Sequence, residues 1–284
     1  MDKQKIDWIN AFIKEALAED VGDGDHTSNA CITEEDISTA RLFVKDIGII
    51  AGVELAEYII KKVDPNATFI QKIADGSEVN EGDVAFDIVA NTRKLLIAER
   101  LILNCMQRMS GIATLSSRFA AEVENLDVNI LDTRKTTPLI RFLEKWAVKI
   151  GGCSNYRHGL YDWIMIKDNH IQACGGITQA IEAVHNYLNK NNLDLGITIE
   201  VKNLVELYEV LEKGGVTRIM LDNFELPLLE EAVAIVEGRF ETEASGGINL
   251  YSVRKVAKTG VNFISSGALT HSAGILDLSL KIID

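Results

Sequence analysis

The stretch that decides the fold covers residues 129–170, NILDTRKTTPLIRFLEKWAVKIGGCSNYRHGLYDWIMIKDNH. Two short apolar runs, 128–131 and 163–166, have the length and the flanking residues of buried strands. The segment 138–150 between them has helical periodicity, and Thr137 followed by Pro138 predicts its start as an N-cap and a first helical residue. Strand, helix and strand in this order predict a parallel α/β arrangement.

Positive charges follow both predicted strands. Arg134 and Lys135 come after the first strand, Lys167 comes after the second, and Arg157 lies in the glycine-rich connection. In parallel α/β folds the carboxyl ends of the strands meet at one rim, where ligands bind. The whole chain is acidic, with a formal net charge of −13. The cations at this rim therefore predict a pocket for a small ligand with several negative charges.

The same alternation continues to the end of the chain. Further strands are predicted at 197–201, 218–221, 239–244 and 261–265, with helices at 178–190, 203–213, 225–237 and 249–258. Asn203 with Glu206 is typical of a capping box, and Asn249 can begin the last of these helices. About six βα units predict a parallel barrel with fewer strands than the usual eight.

The N-terminal part has a different pattern. A helix over 6–17, a strand at 37–45, a helix at 53–62 and strands at 68–73 and 84–89 predict an α+β layer. A long helix over 94–122 is apolar on nearly all sides, which predicts burial in a core or between subunits. Arg100 and Arg108 within it need anionic partners or a snorkelling path to water. Gly111 is expected to bend or break this helix.

Composition limits the possible functions. The chain has 284 residues, 47% of them hydrophobic and 25% charged, which are ordinary values for a soluble protein. Its acidity argues against nucleic acid or an anionic membrane surface as a partner. No apolar run approaches the ~20 residues of a transmembrane helix, and the N-terminus lacks the apolar stretch of a signal peptide. Four widely spaced cysteines predict reduced thiols in a cytoplasmic protein.

Two carboxylates and two glycine-containing loops complete the predicted rim. Glu200 and Asp222 lie at the ends of their strands and suit Mg²⁺, which binds phosphates with one or two protein carboxylates; pairing with neighbouring lysines is the alternative. The loops ASGGIN and SSGALTH expose backbone N–H groups at the last two strands, where barrels often bind phosphate. The acidic segment EDVGDGDHTS lacks the EF-hand spacing and predicts a solvated turn.

Several segments together resemble the quinolinate phosphoribosyltransferases, the carboxylating nicotinate-nucleotide pyrophosphorylases. They are DTRKTTP, GLYDWIMIKDNHI, IEVKN, MLDNF, EASGGI and SSGALTHSA, with ERLILNCMQRMSGIAT and GDGDHTS before them. The resemblance spans nearly the whole chain. It implies conversion of quinolinate and phosphoribosyl pyrophosphate to nicotinate mononucleotide, CO₂ and pyrophosphate, with Mg²⁺, in NAD synthesis.

The resemblance also implies a fold and a domain division. The fold class is α/β, with an N-terminal α+β sandwich domain and an open parallel α/β barrel of about six strands. The expected domains are residues 1–110 and 111–274, with the tail 275–284 joining the first. A homodimer is expected, in which Arg100 reaches the active site of the other subunit.

The site residues implied by the resemblance divide into three groups. Arg134, Arg157 and Lys167 hold the quinolinate carboxylates, and Lys135 and Thr133 lie beside them. Glu200 and Asp222 bind magnesium and the ribose hydroxyls. Phosphate contacts are expected from both small-residue loops: Ser245, Gly246, Gly247, Ser266, Gly267, Ala268 and His271. Lys135, Lys167, Glu200 and Asp222 are the expected catalytic residues.

One departure from the family pattern leaves alternatives open. The family has His before the arginine of its NHR motif, whereas this chain has Tyr156 followed by Arg157 and His158. An inactive phosphometabolite-binding dimer is therefore one alternative. Two others are a related molybdate-transport-linked family, which lacks the IKDNH element, and a barrel aldolase with Lys167 as Schiff-base lysine.

Overall fold

A computed structural model describes residues 3–283 of the chain. Its helices and strands follow in this order: α1 (Lys3–Val21), α2 (His26–Cys31), β1 (Ile37–Val44), β2 (Gly48–Ile49), α3 (Val53–Val63), β3 (Thr68–Gln71), β4 (Glu78–Val79), β5 (Val84–Asn91), α4 (Thr92–Val123), β6 (Asn129–Leu131), α5 (Arg141–Ile150), β7 (Ile164–Ile166), α6 (Asp168–Cys174), α7 (Ile177–Asn191), β8 (Ile197–Val201), α8 (Leu204–Lys213), β9 (Arg218–Asp222), α9 (Leu226–Val236), β10 (Glu241–Ser245), α10 (Val253–Ala257), β11 (Phe263–Ser265), α11 (Ala268–His271) and β12 (Leu278–Ile282).

The chain forms two compact units. Of the described residues, the first contains 3–117, 137–152 and 273–283, and the second contains 118–136 and 153–272. The division predicted from the sequence, at residue 110, differs from this one. In the structure, residues 111–117 and the helix α5 belong to the first unit. The expected division into 1–110 and 111–274 stays a prediction about domains.

The first unit is built on an antiparallel sheet with the order β12-β1-β5-β3, as the predicted α+β layer requires. Alternate residues of β1, namely Ala40, Leu42 and Val44, are buried, which is the period of two expected for a strand with one face in the core. The C-terminal strand pairs with β1, with Ala40 opposite Ile282. The tail thus completes the sheet of the first unit. Two additional short strands, β2 and β4, pair separately.

The long helix α4 is continuous through Gly111, so the expected bend is wrong. A Cβ atom at Gly111 would lie 2.0 Å from the carbonyl oxygen of Gly274. The glycine therefore permits a close approach of two backbones, which is a tertiary requirement that a helical pattern does not reveal.

The two arginines of α4 have different surroundings. Arg100 is exposed and reaches water, which is one of the two alternatives expected for it. Arg108 donates from Nη2 to Oε1 of Glu144 at 2.8 Å, and Glu144 is fully buried in α5. Glu144 also accepts hydrogen bonds from the backbone N–H and the hydroxyl of Thr137, at 3.0 and 2.9 Å. Arg108 thus belongs to a structural ion pair.

The predicted start of α5 at Pro138 is also wrong. The helix begins at Arg141 after the cap residue Ile140, and Leu139 has a left-handed backbone with φ of 68°. Thr137 lies three residues before the cap residue Ile140, and its N–H and hydroxyl both donate to Glu144. The buried carboxylate therefore holds the preceding segment in an extended turn instead of a first helical turn.

The second unit contains six parallel strands in the order β6-β11-β10-β9-β8-β7. All six match strands predicted from the apolar runs. The strands β6 and β7 are consecutive in the chain but form the two edges of the sheet, which is the strand order of a barrel left open between them. Beside this opening, Leu131 of β6 forms an isolated parallel bridge with Ser154.

Local deviations concern helix ends and short helices. Asn203 caps α8 by accepting from the N–H of Glu206, as predicted. The helix predicted at 249–258 corresponds to α10, which begins at Val253. The carbonyl oxygen of Asn249 accepts the N–H of Val253 in the turn before this helix. Within the predicted acidic turn, Asp25 caps the short helix α2 through the N–H of Ser28. The short helices α6 and α11 were not predicted.

Removal of Arg108 tests the structural ion pair. Arg108→Met should lower the free energy of unfolding by about 3–5 kcal/mol, because it leaves the buried carboxylate of Glu144 without its cation. Urea unfolding followed by circular dichroism measures this loss. Arg118→Met, at an exposed position of the same helix, is the matched control and should change stability by less than about 0.5 kcal/mol. A loss below about 1 kcal/mol for Arg108→Met contradicts this account.

Candidate active site

The carboxyl ends of the barrel strands surround a cavity of about 750 Å³. The cavity lies entirely within the second unit. It brings together every site residue predicted from the sequence except Arg100: Thr133, Arg134, Lys135, Arg157, Lys167, Glu200, Asp222, Ser245, Gly246, Gly247, Ser266, Gly267, Ala268 and His271. The residues from separate segments are gathered because parallel strands all end at the same rim.

Lys167 and Glu200 form the central ion pair of this cavity. The Lys167 Nζ lies 2.7 Å from Oε2 of Glu200, whose side chain is 9% exposed. Outside the cavity, Lys202 donates to Asp168 at 2.8 Å and links the same two strand ends a second time. The amine of Lys167 is therefore held as a hydrogen-bond donor to a carboxylate.

The carboxylates Glu200 and Asp222 each retain one accepting oxygen. Asp222 Oδ2 accepts from Asn223 Nδ2 at 2.6 Å, and Glu200 Oε2 is engaged by Lys167. Among residues 3–283, no hydrogen-bond donor lies at the other carboxylate oxygen of either residue. The same part of the chain has no group of three or more His, Cys, Asp or Glu side chains that could bind a metal ion without other ligands. Two half-engaged carboxylates fit Mg²⁺ that is shared with a phosphorylated ligand.

The loop after β10 depends on glycine. Gly246 has φ of +103°, and a Cβ atom there would lie 2.1 Å from Oδ1 of Asn223. Gly247 follows with φ of +62°, also in the left-handed region. Any larger residue at 246 would collide with the neighbouring strand end. The backbone of this loop therefore borders the cavity without side chains in the way, as an anion-binding turn requires.

The loop after β11 is fixed by its own hydroxyl groups. The Ser266 hydroxyl is buried and donates to the carbonyl of Ile248 at 2.7 Å, so it joins the two small-residue loops. Thr270 donates to the carbonyl of Lys135 at 2.8 Å. His271 remains exposed to the cavity, with its Nδ1 2.8 Å from the Ser272 hydroxyl. These bonds hold Lys135 and His271 close to one another.

The arginines Arg134 and Arg157 repel each other across the cavity. Burial lowers the pKa of Arg157, and the positive charge of Arg134 lowers it further. Arg157 donates to the carbonyl of Trp163 at 3.3 Å. Two guanidinium groups that line one cavity favour a ligand with two negative groups, because each negative group relieves the repulsion between the cations.

Tyr156 stands where the family pattern has histidine, and its hydroxyl points into the barrel. That hydroxyl lies 2.6 Å from the Thr198 hydroxyl, which also accepts from Trp163 Nε1 at 2.9 Å. The Arg218 guanidinium lies 5.2 Å from the centre of its ring. Burial raises the pKa of Tyr156, and the negative charge of Glu243 raises it further. Tyr156 therefore lines the cavity as an uncharged side chain, and its hydroxyl is held by Thr198.

Some lining residues were not predicted. Met165 and Met220 could have been predicted from the alternation of side chains along a strand. Each lies two positions before a charged residue at the strand end, and therefore on the same face of its strand. Loop conformation alone places the others, which no sequence period marks. The residues not predicted are Met165, Met220, Asn223, Ile248 and Ser272.

Comparison with family models identifies both parts of the chain. Residues 25–110 match the N-terminal domain of quinolinate phosphoribosyl transferase, and residues 112–281 match its C-terminal domain. These two matches cover most of the chain in the order expected from its motifs.

Individual relatives agree over nearly the full length. Quinolinate phosphoribosyltransferase [decarboxylating] 1b of Nicotiana tabacum is 47% identical over 96% of this chain and 82% of its own length. The carboxylating nicotinate-nucleotide pyrophosphorylase of Arabidopsis thaliana, named as chloroplastic, has the same identity and coverage. The crystal structure of NadC from Streptococcus pyogenes is 35% identical, with a TM-score of 0.90 over 97% of both chains. The chain belongs to the quinolinate phosphoribosyltransferase family.

Proposed function

We propose that this protein transfers the phosphoribosyl group of phosphoribosyl pyrophosphate to quinolinate and releases nicotinate mononucleotide, CO₂ and pyrophosphate. The observation that carries the proposal is the single cavity at the strand ends, which combines clustered cations, two carboxylates and two glycine loops. Family membership supports this assignment over the two other enzyme interpretations. The aldolase leaves the paired arginines without a role, and the molybdate-linked family lacks the IKDNH element that this chain has at 166–170.

Binding of two anions is the first task of the site. Quinolinate is a dianion and phosphoribosyl pyrophosphate carries several negative charges, so the substrates repel each other in water. Arg134 and Arg157 match carboxylates because a guanidinium donates two parallel hydrogen bonds to them. The loops at Gly246 and Gly267 and the nearby His271 suit the phosphates. Lys135 and Thr133 also line the cavity, where they can contact quinolinate or the phosphates. Holding both substrates aligned contributes roughly 7–11 kcal/mol to lowering the barrier.

Glu200 and Asp222 are the residues that would hold Mg²⁺, through the oxygens left free by their lysine and asparagine partners. When bound, the ion neutralises charge on the pyrophosphate leaving group. The same carboxylates face the region of the ribose and stabilise positive charge that develops there as pyrophosphate departs.

The reaction itself needs no protein nucleophile. The quinolinate ring nitrogen forms a bond to the ribose C1′ as the bond to pyrophosphate breaks. The ring nitrogen then carries a positive charge. The bond from the ring to the adjacent carboxylate breaks next, CO₂ leaves, and the electron pair stays on the ring carbon beside the charged nitrogen. That carbon takes up a proton. Lys167 orients the substrate and stabilises charge in these steps.

We further propose a homodimer in which the site of one protomer is completed by Arg100 of the partner subunit. This arginine is exposed on α4. Burial raises the pKa of the adjacent Glu99, and the charge of Arg100 opposes that shift. An exposed cation on a mostly apolar helix is suited to meeting an anion supplied by a second chain.

The proposed location is the cytoplasm. In the described part of the chain, none of the four cysteines, Cys31, Cys105, Cys153 and Cys174, forms a disulfide, and Cys31 and Cys174 are exposed, which suits a reducing compartment. Within residues 3–283, no helix is long and apolar enough to cross a membrane.

A product assay tests the proposed reaction. Purified protein with quinolinate, phosphoribosyl pyrophosphate and Mg²⁺ should release CO₂ and nicotinate mononucleotide in equal amounts. Lys167→Met should lower kcat/KM by at least about 100-fold, because it removes a cation from the cavity. Lys190→Met, at an exposed lysine of α7, should leave the rate unchanged. Binding of both substrates by the wild-type protein without either product would favour the inactive binding dimer instead.

Mixing two inactive variants tests the shared site. Arg100→Met and Lys167→Met should each be inactive as homodimers. After subunit exchange at equal amounts, about one quarter of the wild-type rate should return, because half of the dimers are mixed and each contains one intact site. The absence of any recovery, with exchange verified by a tagged subunit, would refute the contribution of Arg100 across the dimer.

A further inference from the structure

Asp132 directly follows the last residue of β6 and is completely buried. Its Oδ1 accepts the backbone N–H of Tyr156 at 2.9 Å, and its Oδ2 accepts Asn155 Nδ2 at 2.6 Å. Both carboxylate oxygens thus bind the segment that leads into β7. A buried charge is expensive to desolvate, so bonds of this kind are retained where they specify a geometry.

Backbone hydrogen bonds reinforce this connection. The N–H of Asp132 donates to the carbonyl of Ser154 at 3.1 Å, and the N–H of Ser154 donates to the carbonyl of Ile130 at 2.8 Å. These bonds lie at the open edge of the barrel, where β6 and β7 do not pair with each other. Asp132 therefore closes part of the gap that the sheet leaves open.

The position of Asp132 in the chain connects two arginines. It lies two residues before Arg134, and it holds the residue immediately before Arg157. On the other side of Arg157, Asp162 accepts the N–H groups of His158 and Gly159 at 2.7 and 2.9 Å. The backbone of Arg157 is thus held on both sides, and the bond from Asp132 relates it to the end of β6, which Arg134 follows.

We infer that Asp132 is a positioning residue, which sets the separation of Arg134 and Arg157 and thereby the preference of the site for two carboxylates on adjacent ring atoms. The two guanidinium groups repel each other, as the lowered pKa of Arg157 indicates, so their spacing must be imposed by the scaffold when no ligand is bound. This inference rests on the proposed function, because it assumes that quinolinate occupies the arginine pair.

Asp132→Asn tests the inference with little change in shape. One carboxylate oxygen is replaced by the NH₂ group of an amide, which is a hydrogen-bond donor. This donor then faces the N–H of Tyr156 or the side-chain NH₂ of Asn155, so one of the two bonds is lost. The KM for quinolinate should rise about ten-fold or more, while the KM for phosphoribosyl pyrophosphate stays within about two-fold. Asn155→Ala removes only one of the two bonds and should raise the quinolinate KM by a smaller factor. This exposed position keeps the test available if Asp132→Asn does not fold.

Asp64→Asn is the matched control. Asp64 is a buried carboxylate that accepts the Asn91 N–H at 3.0 Å in the first unit, so its loss tests destabilisation without a change at the arginine pair. It should leave both KM values unchanged. An equal rise of both KM values in Asp132→Asn, or no rise in either Asp132→Asn or Asn155→Ala, would overturn the inference.

A binding measurement separates this inference from the proposed function. Calorimetry measures the affinity of the protein for two ligands. Benzene-1,2-dicarboxylate has two adjacent carboxylates, and benzoate has one. The wild-type protein should prefer the dicarboxylate, and Asp132→Asn should lose most of that preference. A wild-type protein without turnover but with this pattern would refute the proposed reaction and support the positioning role. An unchanged preference in Asp132→Asn would refute the positioning role.

Discussion

Repulsion between like charges is the constraint on which this site depends. The proposed substrates are both anions, and the cations that would bind them must be held together before any ligand neutralises them. An acidic chain cannot provide this by overall charge. The structure provides it locally, by fixing Lys167 and Arg157 with bonds to carboxylate and backbone groups. Lys167 is held by Glu200 and Arg157 lies between two carboxylate-bound backbone segments.

The open parallel barrel supplies the common rim for these groups. The strands β6 and β7 form opposite edges of the sheet. The cations that follow them, such as Arg134 and Lys167, are therefore positioned relative to each other by contacts between loops and not by strand pairing. The other strand ends are joined by hydroxyl groups, such as Ser266 to the carbonyl of Ile248. The site therefore combines a rigid sheet with short polar links between its loops, which is the arrangement that preorganised binding requires.

Much of this could be predicted from the sequence, for identifiable reasons. All six barrel strands are short runs that end in a polar residue or are directly followed by one, so their position and the composition of the rim follow from the sequence pattern. The features that were wrong depend on distant contacts. Glu144 draws Thr137 out of the predicted helix start, and the backbone near Gly274 explains Gly111. Asp132 carries no periodic signal, because its importance comes from two bonds to residues more than twenty positions away. Arg100 was recognised from family resemblance, and its exposure in one chain is consistent with a role toward a second.

A crystal structure of the protein with quinolinate bound tests the central claim most directly. The account predicts that the ligand occupies the cavity at the strand ends, with one carboxylate on Arg134 and the other on Arg157, and with Asp132 still bound to the backbone of Tyr156. Quinolinate bound outside this cavity, or bound there with neither arginine in contact, would contradict it.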